Sequence, residues 1–521
     1  MANSTTTGAQ VTSGSAEDSR PGLSSGVLAS YAAPTLPLAL VGLPMAVYLP
    51  AVYADSEGFG LSLGLVGLMI TLARLGDVIT DPIIGFISDR TRTRWGRRKP
   101  FVLLGTPIYA LGIWLLFVPP FEFYDTTWLG VTFNIGYVYL LGMISLAYLG
   151  STIKDIPYSA WGAELSRNYN ERSLITSWRE GFGVTGSLIS AFTPAVIFFF
   201  GFTKPTDAVW FLSLALCIVM PLLVLNAIWV VPEFPIIETR KEKLPLKDTM
   251  RYVFKNRPYM RLIVVFSFVS LGSAMTNSLS FFFVKHVLHA GDLYGFYLSP
   301  YFVAQIAAIP LWFKLSRKIG KHRATMVAIG WYAIWSCLIP LIAIAPNAWF
   351  DTFEVPVLLG FLPQDWYQST IAYFAGIDTG KFIFFVLVMC LKGSAIGALA
   401  ALPLAMAADV VDVDTQMTGK QQAGAYFSIW SMVRKGAYAL GVTVGTGLAV
   451  WFGFDSLKDP MTNPNSDASL LWLACLYSVF PACFMFIAMP LLWTYPLTET
   501  KVAQIQAEIS AQRREASAAP A

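Results

Sequence analysis

Apolar stretches long enough to cross a bilayer recur along this whole chain, and nothing else in the sequence restricts its fold so strongly. They lie at about 30–53, 62–88, 101–119, 131–159, 174–203 and 207–231, then at about 261–284, 293–314, 323–346, 381–407, 422–453 and 468–495. A helix needs roughly 20 residues to span the hydrocarbon core. The runs are continuously apolar, without the period-two alternation of a membrane barrel, so helices are expected. The fold class that follows is an all-α membrane protein with twelve transmembrane helices. Only 13% of the 521 residues are charged, about half the roughly 25% usual in soluble domains. So few charges could not coat a soluble fold of this size. Lipid must be the solvent for much of the exterior.

The net charge of +4 gives no reason to expect nucleic acid as a partner. The five cysteines lie inside apolar runs without a CxxC pair, which argues against a disulfide framework or a zinc site. His286, His289 and His322 form no metal constellation, and the first two read as a solvated pair in a short loop. No cofactor is expected. No GxxxxGK[ST] motif occurs, so ATP chemistry is not expected either.

Lys and Arg are distributed unevenly between the connecting loops, which sets the expected orientation. The loop after helix 2 reads DRTRTRWGRRKP, and the loops after helices 6 and 8 are also basic, through Arg240–Arg261 and Lys314–Arg323. The longest odd-numbered loop, about 347–380, carries Asp351, Glu354, Asp365 and Asp378. Even loops and both termini are therefore expected in the cytoplasm, with the chain multi-pass in the inner (plasma) membrane. The expected units are a disordered tail at 1–26, a six-helix bundle at 27–237, a linker at 238–260, a second six-helix bundle at 261–496 and a tail at 497–521. A six-plus-six pattern is that of a major facilitator fold, whose site lies between the halves.

Charges inside the apolar stretches mark where function concentrates. Helix 2 reads ARLGDVITDPIIGFISDR, with Arg74, Asp77 and Asp81 at i, i+3 and i+7 on one face. Each costs roughly 2.5–3.5 kcal/mol near a helix centre, so the three would oppose insertion by about 8–10 kcal/mol if they faced lipid. They are expected to face a polar cavity and one another. A buried Arg–Asp lock is the plain alternative, but the second carboxylate exceeds what one Arg needs. Two close carboxylates are relieved by a bound cation or a shared proton, and oxygen ligands suit a hard cation such as sodium. Helix 4 offers Thr152, Lys154 and Asp155, where Asp155 either serves a solute or is simply paired to Lys154 or an Arg. Helix 5 offers Arg179, helix 10 Lys392, and helix 11 Arg434 and Lys435. The segment ADVVDVDTQMTGKQQAG between helices 10 and 11 lacks the spacing of a calcium loop and is expected to make gating salt bridges with basic loops.

The motifs DxxxDPIIGxxxDRTRxRWGRRKP, DIPYSAWG and GKxxxGxYFxxWSMVRKG occur in that order. The chain thereby resembles the glycoside–pentoside–hexuronide cation symporters over about residues 28–495. The resemblance implies a cation site (Na⁺ or H⁺) of Asp77, Asp81 and Thr152, a sugar grip of Asp155 and Arg179, and Lys435 close to the cation. Arg74 balances charge there. Where a sugar-binding member of that family has an acidic residue on helix 1, the gap-free match here is Ala39, in a stretch, 34–50, with four prolines and no charge. The aromatic after the DIP motif is Ser159, and an Asn between the helix 2 carboxylates is Thr80. The expectation is a monomeric secondary transporter that moves a glycoside or similar small solute with a cation, and not an enzyme. A lipid-like or peptide-like cargo on the same fold is the alternative, and a non-transporting sensor a weaker one.

Overall fold

The computed structural model describes residues 23–233, 254–353 and 379–508, apart from 129, 166–168, 199, 203, 419–422, 498–500, 503 and 506. Twelve long helices fill the described residues: α1 (Ser25–Ala54), α2 (Leu63–Arg90), α3 (Lys99–Phe117), α4 (Ile135–Glu164), α5 (Tyr169–Phe198), α6 (Pro205–Val230), α7 (Arg257–His286), α8 (Tyr294–Ile319), α9 (Lys321–Ile344), α10 (Thr379–Thr418), α11 (Ala423–Trp451) and α12 (Asp467–Trp493). Among the described residues, eleven of them are long and apolar enough to cross a membrane. The remaining one, α11, is 29 residues long and carries the adjacent charges Arg434 and Lys435. Most of the expected tails and linker, 1–22, 234–253 and 509–521, lies outside the described residues.

The first six helices form one half and the last six the other. In the first, α4 lies along α2 and α3, and α1 along α5. In the second, α7 lies along α11 and α12, and α10 along α8 and α9. Small residues permit these approaches, because lipid gives helices no hydrophobic reason to associate and close packing must do so instead. A Cβ on Gly112 of α3 would stand 2.7 Å from the Ala147 backbone of α4.

Local sequence explains the departures from straight helices. Prolines at 34, 37, 44 and 50 remove backbone donors from α1, which is broken at Ala33–Pro34 and loosened to a π turn at Pro44–Tyr48. The fourth apolar run does not begin as helix: Asp125–Trp128 and Val131–Asn134 form a two-stranded hairpin, turned at Gly130 with φ +80°. Asn134 then caps α4 by accepting from the Gly136 N–H at 2.9 Å. The acidic segment expected between helices 10 and 11 is largely helical, since α10 runs on to Thr418. Lys314, Arg317 and Lys318 likewise belong to α8, with Gly320 alone separating it from α9. The histidine expectation is corrected too: His286 ends α7 fully buried, edge-on to Phe454, because the chain folds back over it.

The two halves meet from their middle to the end opposite the basic loops, here called the far end. There α2 and α11 cross closely, with Thr71 Oγ1 donating to the Ala439 carbonyl at 2.6 Å and Thr443 Oγ1 to the Gly67 carbonyl at 3.1 Å. On the other flank, α8 meets α5, and Ser299 Oγ donates to the Ala191 carbonyl at 3.0 Å. A Cβ on Gly295 would stand 2.6 Å from Pro194. At the far tip, Asp55 beyond α1 accepts two bonds from Lys285 Nζ of α7, at 2.8 and 2.9 Å.

Candidate functional site

Halfway along α2, helical spacing places Arg74, Asp77 and Asp81 on one face, as expected. Arg74 Nη1 donates to Asp77 Oδ2 at 3.0 Å, and the guanidinium lies over the Tyr148 ring of α4 at 3.9 Å. Asp77 is buried, at 4% exposure. One turn on, Asp81 Oδ1 accepts from Thr152 Oγ1 of α4 at 2.8 Å, and Asp81 Oδ2 accepts from Lys435 Nζ of α11 at 2.7 Å. Lys435 Nζ also stands 3.7 Å from Asp77 Oδ2. Five residues distant in sequence thus form one cluster, and its single crossing between halves is a lysine that touches both carboxylates.

The second expected group is arranged differently. Asp155 accepts from Ser151 Oγ at 2.6 Å and pairs with its neighbour Lys154. Lys154 is buried at 3% and faces the Tyr109 ring, because α4 turns that side toward α3. The pairing with Lys154 expected as one alternative for Asp155 is thus present, with the Asp155 side chain still one-third exposed. Arg179 Nη1 donates to Ser159 Oγ at 3.3 Å, its guanidinium 5.8 Å from the Tyr158 ring. Asp155 and Arg179 thus flank one turn of α4, each with its own partner.

Two cavities open beside these groups. One of about 460 Å³ is lined by Arg74, Ser270, Trp430, Arg434, Lys435 and Tyr438. The other, about 430 Å³, is more apolar, with Leu36, Leu174, Trp178 and Phe182 in its wall. Sequence reasoning gave no role to Trp430, Tyr438 or Tyr148. Their spacing held the signal: Trp430, Arg434 and Tyr438 recur every four residues, and Tyr148 stands four before Thr152. Two other charged groups are placed by the structure. Asp409 accepts from Lys321 Nζ at 2.7 and 2.8 Å, a salt bridge to the basic 314–323 segment of the kind expected. The side chains of Asp412 and Asp414 lie outside the described residues. Lys392 is fully buried with no hydrogen-bond partner, its Nζ 4.7 and 5.1 Å from the Tyr332 and Tyr477 rings. No group of residues suited to a metal ion of the His/Cys/acid type occurs among the described residues.

A two-half helical bundle with ionised groups buried at its middle and joined across the halves is a secondary transporter of the major facilitator fold. The chain belongs to the MFS/sugar transport protein family, whose model matches residues 30–499. It is 24% identical to the inner membrane symporter YicJ of Escherichia coli, over 90% of this chain and 91% of that protein. It is 22% identical to the glucuronide carrier protein homolog of E. coli (90% and 92%) and 24% identical to the isoprimeverose transporter of Lactiplantibacillus pentosus (55% and 58%). Among solved structures it resembles the inward-open xylose transporter XylE of E. coli, with TM-score 0.52, 14% identity and coverage of 92% and 97%. A bacterial homologue of the lysosomal transporter Spinster, inward-facing, gives 0.56, 14%, 91% and 98%. These likenesses establish the fold, and the family establishes a transporter rather than an enzyme. The resemblance to glycoside–pentoside–hexuronide symporters read from the motifs stands.

Proposed function

We propose that this chain is a cation-coupled symporter of a glycoside-like solute, acting as a monomer in the inner membrane with both termini in the cytoplasm. The observation that carries the reading is the Lys435 bridge to Asp81 and Asp77. Without a coupling ion, Arg74 balances Asp77, and the lysine of the other half balances Asp81 while standing close to Asp77. A sodium ion or proton arriving at Asp77, Asp81 and Thr152 performs the same neutralisation and frees the lysine, so the ion acts on the contact between halves. The carboxylate and hydroxyl oxygens there suit a hard cation. No further cofactor is needed.

In this orientation the tight far end faces outward, which makes this an inward-facing state. Asp155, Ser159 and Arg179 offer the solute polar contacts at the edge of the first half, and the Trp178–Phe182 wall suits an apolar aglycone. This last feature favours aryl glycosides over simple disaccharides. Purified protein in proteoliposomes, given separate sodium and pH gradients, tests the reading. One gradient should drive uphill accumulation of an aryl glycoside. Accumulation driven by neither gradient would contradict it.

A further inference from the structure

The cavity beside the charged cluster holds more positive charge than the cluster can balance. Arg74, Arg434 and Lys435 all line it. Asp77 takes Arg74, and Asp81 takes Lys435. Arg434 has no acidic partner among the described residues; its guanidinium lies only against Trp430, 6.0 Å from the ring centroid. Its position is not that of a residue escaping to a lipid headgroup, because it lies in the twelfth position of the 29-residue α11, next to the bridging Lys435, and borders the cavity. Around it stand hydroxyls that can donate to an anion: Ser431 three residues earlier, Ser270 of α7 and Tyr438 one turn on.

Resting on the symport reading above, we infer that the transported solute carries an acidic group, and that Arg434 with Ser270 and Ser431 is the subsite in the second half that receives it. The charge count supplies the reason. Before loading, three cations face two carboxylates, an excess of one positive charge. When the coupling ion takes the carboxylates, Lys435 loses its partner and the excess grows to two. Arg434 is exposed where it borders the cavity, so an anion can reach this uncompensated positive charge and relieve it. The guanidinium fork suits a carboxylate or a sulfate bidentately, which a neutral hydroxyl cannot match. Ion and solute thereby favour each other's binding through charge alone. Arg434 is a specificity-determining residue, and the aromatic Trp430 beneath it holds the guanidinium in the cavity.

The test compares two probes that differ only at one carbon: 4-nitrophenyl β-D-glucuronide and 4-nitrophenyl β-D-glucoside. Their affinities for the purified full chain are measured by competition in the presence of the coupling ion. The wild type should prefer the glucuronide by at least about tenfold, since a hydrogen-bonded charge pair contributes that much or more. Arg434→Gln should reduce the preference ratio by about ten- to a hundredfold, and Arg434→Lys should keep part of it. A wild type that binds both probes alike would overturn the acidic-solute inference and leave the symport reading standing. A glucuronide preference that survives in Arg434→Gln would overturn the assignment to Arg434. Binding of neither probe would remove the glycoside reading, and this inference with it.

Discussion

Among the described residues, two lysines pair with aspartates across the halves of this transporter, and the two sites differ in the property that matters for coupling. Both take the lysine from the second half and the carboxylate from the first. At the far tip, Lys285 and Asp55 are nearly dry, with side chains 11% and 3% exposed. At the middle, Lys435 and Asp81 are 34% and 28% exposed, beside a second carboxylate and an open cavity. A dry pair holds or breaks, and the second carboxylate near Lys285, Glu57 at 3.7 Å, is a half-exposed group of the far tip. A wet pair flanked by spare oxygen ligands can exchange its lysine for an ion. On the proposed symport mechanism, the far pair is accordingly a lock on one conformation, and the middle pair is the point at which an ion would be sensed.

Breaking the middle pair should have the largest effect. Asp77→Asn and Asp81→Asn are each expected to abolish uphill accumulation while solute exchange down its own gradient continues, measured in proteoliposomes. Loss of exchange along with accumulation would place these residues in the solute's path instead. The far pair should respond unequally to its two single substitutions. Lys285→Ala strands a buried carboxylate, a change that costs roughly 3–5 kcal/mol in dry pairs, and should open the far end. Asp55→Asn should be much milder. Burial already raises the Asp55 carboxyl from its ordinary value, against the pull of Lys285. The sign follows from linkage: with its pKa raised on closure, the closed end gains stability as pH falls and loses it as pH rises through that value. Distances between spin labels on the far ends of the two halves would report all three changes. Equal effects of the two substitutions would contradict the account of a dry lock.

Smaller effects sharpen the assignment of individual contacts. Trp178→Ala should weaken aryl glycosides by roughly tenfold, because stacking and burial of one aromatic contribute about 1–2 kcal/mol at an open wall, and should change simple disaccharides less. Thr152→Ala removes one hydrogen bond to Asp81, worth about 1 kcal/mol, and should weaken coupling-ion affinity by roughly fivefold.

Much of this architecture could be read from the chain alone. Runs of apolar residues locate helices because the bilayer imposes one length and one hydrogen-bonding solution. The α2 cluster was equally visible, since helical spacing and the cost of burying charge both act within one segment. The hairpin at Asp125–Asn134 was hidden because its second strand merges into the apolar run of α4. The Asp55–Lys285 lock was invisible for a different reason: its partners are 230 residues apart, and neither lies inside a stretch where charge looks out of place. The Lys154–Asp155 pair was one of the readings open for Asp155, since a long lysine can bend back to its neighbour although their Cα–Cβ bonds diverge.

The central claim, that the middle pair senses the ion and the far pair does not, is tested most directly by solute affinity as sodium and pH are varied separately. Reciprocal coupling requires affinity to rise with the ion that is used. Wild type and Asp55→Asn should show that dependence, and Asp81→Asn should be flat to both ions. An Asp81→Asn protein whose solute affinity still follows sodium or pH as the wild type does would contradict the account.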